Sequence, residues 1–370
     1  MENKKIVIAG GTGFIGQALA AFFGKDNDIV ILGRHVPGDS RDTNNQPAPH
    51  TINNAYTGKL LTAADGYRIQ YLYWDGLRVE KHWAAAIDGC DLVINLAGKS
   101  VNCRYTSKNK QEIFDSRTDS TRAIGLAIRD AITPPKVWIN AASATIYRHA
   151  EDRPQDEYTG DITDHGAVAR RADISDVAAR GHIPRKDPSR HFNDDFSVQV
   201  CKKWEKTFDE QRTPFTRKVT LRMAITLGTG GVIVPYLHLL KFGLGGRQGS
   251  GRQMYSWVHI EDLCRIVRWV YQRDKMEGVY NVCAPHPVSN RQFMKSLRKV
   301  SGHRIGLPAF TWMLKLGALL IGTETELILK SRWVLPTKLL QAGFIFRYPD
   351  VEDAMKDIIG KVPRRKYRLF

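Results

Sequence analysis

Short apolar runs alternate with amphipathic segments along the first two thirds of the chain. The runs Lys5–Ala9 and Asp28–Leu32 are rich in β-branched residues, which favour strands. Further strands are predicted at Tyr67–Trp74, Asp91–Leu96, Lys136–Ala141 and Lys218–Thr226, and helices at Gln17–Phe23, Val79–Ile87, Lys108–Ala131 and about 194–211. Strands that alternate with helices are typical of a parallel sheet with crossover helices. The pattern therefore predicts a doubly wound α/β fold.

Beyond residue 228 the pattern becomes mixed, with glycine-rich turns and shorter elements. Helices are predicted at Ile260–Tyr271 and Asn290–Val300, and a short strand at Val279–Val282. We expect a first domain over 1–228 and a smaller mixed α/β lobe over 229–370, part of which adds to the sheet. Two polar stretches, 36–66 and 151–193, have no clear core face, and we interpret them as insertions.

Composition and charge bear on whether the chain is folded and on which partners it can have. The chain has 370 residues, of which 42% are hydrophobic and 25% charged, and this excludes wholesale disorder. The formal net charge is +17, but no dense basic stripe with interleaved aromatics is present, so we expect no nucleic-acid partner. The most apolar later stretch, Trp312–Gly322, is 11 residues long and too short to span a bilayer, so we expect no membrane partner and a cytoplasmic location.

Five scattered cysteines fit no metal or redox motif. None is spaced as CxxC, so we expect no metal site and a reducing compartment in which most thiols are buried. They are Cys90, Cys103, Cys201, Cys264 and Cys283.

A glycine-rich turn, GGTGFIG, joins the first strand to the first helix. Gly10 permits a tight turn, Gly13 lets backbone N–H groups approach a pyrophosphate, and Gly16 lets the helix pack close to the sheet. The helix N-terminus adds partial positive charge and unpaired donors. The predicted cofactor-binding residues of this turn are Gly10, Thr12, Gly13, Phe14, Ile15 and Gly16.

The residue after the second strand selects between the two nicotinamide cofactors. A site for NAD would place an acidic residue there to bind the ribose 2′-hydroxyl. This chain instead has Arg34, whose guanidinium would pair with a 2′-phosphate. The sequence therefore predicts NADP(H), the alternative being that Arg34 is an ordinary surface cation.

Three runs together resemble the extended short-chain dehydrogenase/reductases, which include the NAD-dependent sugar-nucleotide epimerases. They are the glycine turn, Asn95–Gly98 (NLAG) after the fourth strand and Ala142–Tyr147 (ASATIY) after the fifth; Ser256–Asp262 (SWVHIED) matches a downstream signature. This resemblance implies a Rossmann-type sheet. It also adds Asp75, Leu96, Ala97 and Gly98 to the cofactor-binding set.

Within that group the chain is most similar to an atypical "epimerase family" subgroup, sometimes labelled cell-division-inhibitor-like, that has a C-terminal domain of unknown function. The similarity spans about 4–359, apart from the two insertions. Its marks are Asp115–Arg122, Asp195-Phe196 with Val200-Cys201 and Trp204-Glu205, Gly245-Gly246 with Gly249–Gln253, Asn281 with Ala284-Pro285, and Leu335-Pro336 with Ala342–Phe344.

The catalytic residues of the larger family are only partly present. Ser143 matches the strand-end serine that orients the substrate oxygen, but Ser197 and Cys201 stand where the family's Tyr-x-x-x-Lys pair would be. The chain's Tyr-x-x-x-Lys, Tyr271–Lys275, lies at the end of a later helix, and we interpret it as coincidence. Candidate replacements are Tyr147, Cys201 and Lys202. The alternatives are that Tyr147 packs on the nicotinamide wall and that Cys201 is inert packing.

The substrate cannot be read from the motifs. Where epimerases place an arginine for the nucleotide diphosphate this chain has Tyr255, so a sugar nucleotide is doubtful, while Arg252 nearby leaves an anionic substrate open. Two functions remain: an NADP(H)-dependent oxidoreductase or epimerase-like enzyme acting on an unidentified small molecule, or a non-catalytic NADP(H)-binding sensor. A dimer is compatible with either, and the oligomeric state is left open.

Overall fold

The structure is a computed structural model that describes residues 1–34, 66–162, 196–314 and 329–368, together with two two-residue strands at 52–53 and 60–61. Most of the two predicted insertions, 36–66 and 151–193, lies outside the described residues.

The order of strands and helices in the first half matches the predicted alternation. The strands are β1 (Lys5–Ala9), β2 (Asp28–Gly33), β3 (Ile52–Asn53), β4 (Leu60–Leu61), β5 (Ile69–Tyr73), β6 (Leu92–Asn95), β7 (Val137–Ser143), β8 (Arg217–Met223), β9 (Ile225–Leu227), β10 (Met254–Tyr255), β11 (Trp257–His259), β12 (Gly278–Val282) and β13 (Val288–Ser289). The helices are α1 (Phe14–Phe23), α2 (Lys81–Ile87), α3 (Ser107–Arg129), α4 (Phe196–Asp209), α5 (Ile233–Lys241), α6 (Ile260–Tyr271), α7 (Asn290–Ser301), α8 (Thr337–Gln341) and α9 (Val351–Lys361).

Seven strands form one sheet in the order β12-β8-β7-β6-β1-β2-β5, and every neighbouring pair is parallel. The chain moves outward in one direction from β1 to β5 and then restarts on the other side of β1 with β6. This reversal next to β1 is the switch point at which doubly wound sheets bind ligands, beyond the carboxyl ends of the strands. The doubly wound α/β prediction is confirmed.

Both faces of the sheet are covered by helices, which explains why its strands are apolar throughout. Side chains such as Ile8 and Ile31 pack with α1 and α6 on one face, while Val7 and Val30 pack with α2 and α3 on the other. Adjacent residues of a strand point to opposite faces, so strands such as β1, β2, β6 and β7 contribute to both clusters.

The second half of the chain forms its own apolar cluster and also extends the sheet. Residues of α5, α7 and α9 pack together around Phe293 and Met355. Strand β12 pairs with β8 at the sheet edge, and the division of the chain into two domains stays a prediction.

The described start of the second insertion differs from the prediction, because residues 151–162 are not free of core contacts. Gln155 is fully buried, and its backbone N–H donates to the Trp333 carbonyl (2.7 Å). The Glu157 carboxylate accepts hydrogen bonds from the backbone N–H groups of Asn281 (2.7 Å) and Lys338 (3.4 Å). Polar side chains that satisfy buried backbone leave no hydrophobic periodicity, so the sequence pattern could not show this contact.

A substitution at Gly16 tests the close packing of α1 on the glycine turn. A Cβ at this position would lie 2.5 Å from the Gly11 Cα, a backbone atom that cannot rotate away. We expect Gly16→Ala to lower the free energy of unfolding by about 1–3 kcal/mol in urea titrations. The matched control is Gly360→Ala in α9, which has open space around the new methyl group and should gain up to about 1 kcal/mol. Equal stability of the two variants would contradict the packing described for α1.

Candidate functional site

Three predicted motifs meet at one edge of the sheet. The glycine turn follows β1, Leu96–Gly98 follow β6, and Ser143 ends β7. Since β1, β6 and β7 are consecutive in the sheet and parallel, their carboxyl ends are neighbours. The fold therefore brings together the predicted cofactor residues and the predicted catalytic serine.

The glycine turn has the geometry that close approach of a ligand requires. Gly10 has φ +74°, and a Cβ there would lie 3.0 Å from backbone atoms of Leu96 and Ala97. Gly13 begins α1 without any side-chain cap, and it is exposed. The N–H groups of the first turn of α1 thus keep their hydrogen-bonding capacity for an anionic group.

The side chains of Phe14 and Ile15 serve packing, so these residues can offer a cofactor only their backbone. Ile15 packs on the sheet core, and the Phe14 ring lies against the Gly228–Gly231 turn, with its Cζ 2.7 Å from the position of a Cβ on Gly228. The Thr12 carbonyl accepts a hydrogen bond from Gln17 Nε2 (2.9 Å), which fixes the turn from its own helix.

Arg34 is exposed and directly follows β2, the neighbour of β1. The Gly10 N–H donates to the Leu32 carbonyl (2.9 Å), which holds the end of β2 against the glycine turn. Lys99, which sequence reasoning missed, follows β6 on the other side of β1: its Nζ bonds to Asn109 (2.9 Å) and forms an ion pair with Glu112. The Glu112 pKa is lowered, chiefly by the hydrogen bond from Lys99 and in smaller part by Arg34. Arg34 and Lys99 therefore both act on the Glu112 carboxylate.

A buried polar network holds the Leu96–Gly98 segment in place. Asn95 Nδ2 donates to Asn140 Oδ1 (2.8 Å), and Asn95 Oδ1 accepts from the Ala97 N–H (3.1 Å). Asp75 lies farther along the sheet edge, where its carboxylate accepts from the N–H groups of Leu77 and Arg78. Asp75 thus caps a turn, and its cofactor role stays a prediction.

Ser143 is half-buried at the last position of β7. Its Oγ accepts a hydrogen bond from the Thr145 N–H (3.2 Å), so the hydroxyl proton remains available to another acceptor. The serine is fixed by its strand and faces the edge that carries the glycine turn.

Tyr147 belongs to a buried network that links four elements. Its hydroxyl donates to Asn281 Oδ1 (3.0 Å) and accepts from Arg222 Nη1 (2.8 Å). Arg222 makes a two-point ion pair with Glu205 at 2.8 and 2.7 Å. Tyr147 is 2% exposed, and burial raises its pKa to about 12. Its role as a proton donor stays a prediction that this geometry disfavours, because both partners of the hydroxyl are protein groups.

Cys201 is buried in α4, packed in an apolar cluster with Ala144 and Tyr147. Burial, with Glu205 adding in the same direction, raises its pKa to about 11, so the thiol is protonated at neutral pH. Lys202 is half-buried and lines a surface cavity of about 460 Å³ together with Ile146 and Glu205. None of the predicted cofactor residues lines that cavity, and the role of Lys202 stays a prediction.

Three cations near the end of β7 were missed by sequence reasoning. Arg117 of α3 packs against Gly98 and over the Trp204 ring, with its Cζ 5.1 Å from the ring centroid. Lys330 Nζ approaches the Thr145 carbonyl (3.4 Å), and Arg332 Nε donates to Thr145 Oγ1 (3.0 Å). Of the three, only Arg117 lies in a motif named in the sequence analysis, Asp115–Arg122. Lys330 and Arg332 come from about 185 residues downstream.

The two predicted substrate residues lie in the second lobe. Tyr255 is 1% exposed within the apolar cluster of that lobe, and Tyr236 and Gln248 lie near its hydroxyl (3.4 and 3.5 Å). Arg252 is exposed on the glycine-rich turn. Their contact with a substrate stays a prediction, and the burial of Tyr255 disfavours it.

The motif Tyr271–Lys275 is remote from the predicted site. The Tyr271 hydroxyl donates to Asp91 (3.3 Å), which immediately precedes β6. This is the amino end of the strand, opposite the glycine turn, so the interpretation of the motif as coincidence agrees with the fold. None of the five cysteines is in a disulfide bond; Cys103 is half-buried, and the other four are buried.

Over the ranges that the structure describes, no group of three His, Cys, Asp or Glu side chains is placed to hold a metal ion. Within the same ranges, no helix combines the length and apolarity needed to cross a bilayer.

Comparisons with known proteins agree with the fold and the motifs. The model of the NAD dependent epimerase/dehydratase family matches residues 6–168, and that of a domain of unknown function, DUF1731, matches 309–358. The epimerase family protein SSP1921 of Staphylococcus saprophyticus is 30% identical over 96% of this chain and 99% of its own. YfhF of Bacillus subtilis, also an epimerase family protein, is 28% identical over 96% of this chain and 98% of its own.

A solved structure shares the whole fold. The crystal structure of human epimerase family protein SDR39U1 (isoform 2) with NADPH superposes with a TM-score of 0.70 at 24% identity, covering 96% of this chain and 99% of that one. The full-length similarity to the staphylococcal relative, the two matched family models and the shared sheet lead to one conclusion: the chain belongs to the epimerase family of extended short-chain dehydrogenase/reductases that carries a C-terminal DUF1731 domain.

Proposed function

We propose that this protein is an NADP(H)-dependent oxidoreductase or epimerase-like enzyme that acts on a small molecule. The observation that carries the proposal is the placement of Ser143 at the carboxyl end of β7, two strands from the open glycine turn on β1. A dinucleotide that lies across the switch point would bring its reactive end toward this serine.

The glycine turn fits a pyrophosphate, and the rim beyond β2 fits a 2′-phosphate. Gly13 leaves open space at the uncapped start of α1, and Arg34 supplies an exposed cation at the end of β2, the strand beside β1. The presence of NADPH in the human SDR39U1 crystal structure supports the same choice of cofactor.

The nicotinamide, when bound, would supply the hydride chemistry, and the chain's own residues would position the substrate. Ser143 can donate a hydrogen bond from its hydroxyl to a substrate oxygen while its own Oγ is held by the Thr145 N–H. Lys330 and Arg332 are positive groups near Thr145 and favour negative charge that develops on that oxygen.

The environments of the two other candidate proton donors favour a second function, a cofactor-binding sensor. The Tyr147 hydroxyl is held by two protein partners, and the Cys201 thiol is buried in an apolar cluster, where burial raises its pKa to about 11. If Ser143 has no partner for proton transfer, binding of the cofactor would change only the conformation or the partner affinity of the protein.

Gly13→Val tests the assigned phosphate loop. The backbone at Gly13 (φ −74°, ψ 168°) accepts a β-branched residue, and the contact nearest to its Cβ is the Gly10 carbonyl oxygen at 3.4 Å. We expect the variant to keep its melting temperature within a few degrees while calorimetry detects no NADPH binding, because the isopropyl group occupies the space of the pyrophosphate. Unchanged affinity for NADPH would place the phosphate site elsewhere.

Arg34→Asp tests the choice of cofactor. A charge-assisted hydrogen bond contributes about 1.5–3 kcal/mol, so we expect NADPH affinity to fall about ten- to a hundredfold. NADH affinity should rise, since the new carboxylate can accept from the ribose 2′-hydroxyl.

The control for this experiment is Arg68→Asp. Arg68 is an exposed arginine at the amino end of β5 whose partner is Asp28, so the substitution makes the same charge change away from the predicted site. Its cofactor preference should equal that of the wild type. Equal affinity of the wild type for NADPH and NADH would refute the role of Arg34.

Ser143→Ala separates the enzyme from the sensor. Loss of a group that assists proton transfer costs about 10²–10⁴-fold in rate, so turnover of a substrate found in an NADPH-oxidation screen should fall by that factor at unchanged cofactor affinity. Cys201→Ser should be nearly neutral. Tyr147→Phe should lower the melting temperature through its lost hydrogen bonds and retain most of its turnover per folded molecule.

A sensor gives a different set of results. No compound in a broad carbonyl screen would then consume NADPH, while NADPH would still raise the melting temperature. Full activity of Ser143→Ala on a confirmed substrate would show that the catalytic centre lies elsewhere.

A further inference from the structure

Large apolar side chains are exposed along one edge of the second lobe. Phe242 is 66% exposed, Ile305 77%, Leu307 57%, Phe310 48% and Trp312 67%. We name these five residues the apolar edge. Contiguous exposed side chains of this size on a folded domain are typical of interaction surfaces.

Two glycine-rich segments that carry the apolar edge run side by side. The Leu307 N–H donates to the Gly243 carbonyl (2.9 Å), and the Ala309 N–H donates to the Arg247 carbonyl (2.9 Å). A Cβ at Gly246 would lie 2.4 Å from the Leu307 carbonyl oxygen, so this glycine permits the close approach. The segment after α7 thus lies against the segment after α5, which begins at Phe242.

The three segments of the second lobe that surround the apolar edge contain Lys and Arg but no acidic residues. Residues 229–256 contain three Lys or Arg, 284–314 contain five and 360–368 contain five, and none of these segments contains Asp or Glu. Arg368 donates to the Ser301 carbonyl (3.0 Å), which joins the last segment to the second. The acidic residues of α9 are in ion pairs, as Glu352 is with Lys299 (2.8 Å) and Asp357 with Lys361 (2.6 Å).

Cations directly adjoin the apolar edge. Lys241 precedes Phe242 and Arg304 precedes Ile305, and Arg304 is exposed. Arg298 packs against Gly306, between Ile305 and Leu307.

We propose that the apolar edge docks this protein on the surface of an anionic lipid bilayer, with Phe242, Leu307 and Trp312 entering the interface and the flanking cations contacting lipid phosphates. The aromatic and aliphatic side chains match the apolar layer of such a surface. The Lys and Arg residues, with no acidic residue among them, match its anionic headgroups. The proposal goes beyond the proposed function and does not depend on it. The sequence prediction of no membrane partner rests on the length needed to span a bilayer, a criterion that surface binding does not use.

Charge and shape argue against two other occupants. A second copy packed edge to edge would place two surfaces with the same excess of Lys and Arg against each other, and like charges repel. A nucleic acid would use the cations and stack bases on the aromatic rings, but it offers no apolar layer for Ile305 and Leu307.

The test measures co-sedimentation of the full-length protein with vesicles of phosphatidylcholine, with or without phosphatidylglycerol. We expect binding to the vesicles that contain phosphatidylglycerol, weakened by salt. The double variant Leu307→Ser/Trp312→Ser and the charge variant Lys241→Glu/Arg304→Glu should each bind at least about tenfold more weakly. The matched control is Ile132→Ser/Phe215→Ser, which removes two side chains, 91% and 83% exposed on the first domain, and should bind as the wild type does.

Tryptophan emission supplies a second readout. The emission that Trp312 contributes, taken as the difference between the wild type and Trp312→Phe, should shift to shorter wavelength when phosphatidylglycerol vesicles are added. Equal melting temperatures of all variants would verify that the exposed substitutions leave the fold intact.

Several outcomes would overturn the proposal: no binding of the wild type to anionic vesicles, equal binding to both kinds of vesicle, or unchanged binding of the Leu307/Trp312 variant. A dimer in sedimentation that this variant abolishes would assign the apolar edge to a second copy. Binding to duplex DNA, weakened by the charge variant and unaffected in the Leu307/Trp312 variant, would assign the basic face to nucleic acid.

Discussion

The buried ion pair between Glu205 and Arg222 is the interaction on which the site's architecture depends. The Glu205 side chain is 11% exposed and the Arg222 side chain 8%, so both charges have lost most of their contact with water. Their mutual attraction offsets the cost of this desolvation. Arg222 also donates to the Tyr147 hydroxyl, which in turn donates to Asn281. One charge pair therefore connects α4, β8, the segment after β7 and β12.

This connection explains how the C-terminal lobe is held against the first domain. Asn281 Nδ2 donates to the Leu335 carbonyl (3.0 Å), and the Asn281 N–H donates to Glu157. The segment that contains Lys330 and Arg332 thereby reaches the end of β7, beside Ser143. Residues of the matched DUF1731 range thus lie at the end of the strand that carries the predicted catalytic serine.

The parts of the structure that follow local rules could be predicted from the sequence. The strand, glycine turn and helix at Lys5–Phe23 are set by β-branched residues, by the φ freedom of Gly10 and by the close packing of Gly16, all within one short segment. Arg34 could be placed because it immediately follows a strand. The bounds of α6 were predicted to the residue, since its apolar face has strict helical spacing.

The rest depends on contacts between distant residues, which leave no periodic signal. Tyr147 looks like a candidate acid because it follows a strand end, but its partners Arg222 and Asn281 lie 75 and 134 residues away. Only the fold shows that both bond to its hydroxyl. The burial of Gln155 and the approach of Lys330 to Thr145 also depend on residues that are distant in sequence. The same holds for the apolar edge, whose residues come from two separate loops.

We propose that the dinucleotide lies across β1 and β6 with its reactive end at Ser143. A crystal structure of the complex with NADP⁺ would test this placement, through the distance from the reactive ring carbon of the nicotinamide to nearby side-chain oxygen and sulfur atoms. We expect the ring to lie beside Ser143, with room for a substrate oxygen about 3–3.5 Å from the reactive carbon, and the 2′-phosphate to contact Arg34. A nicotinamide ring that lies away from the end of β7, or a ribose with no cation within hydrogen-bonding distance, would contradict it.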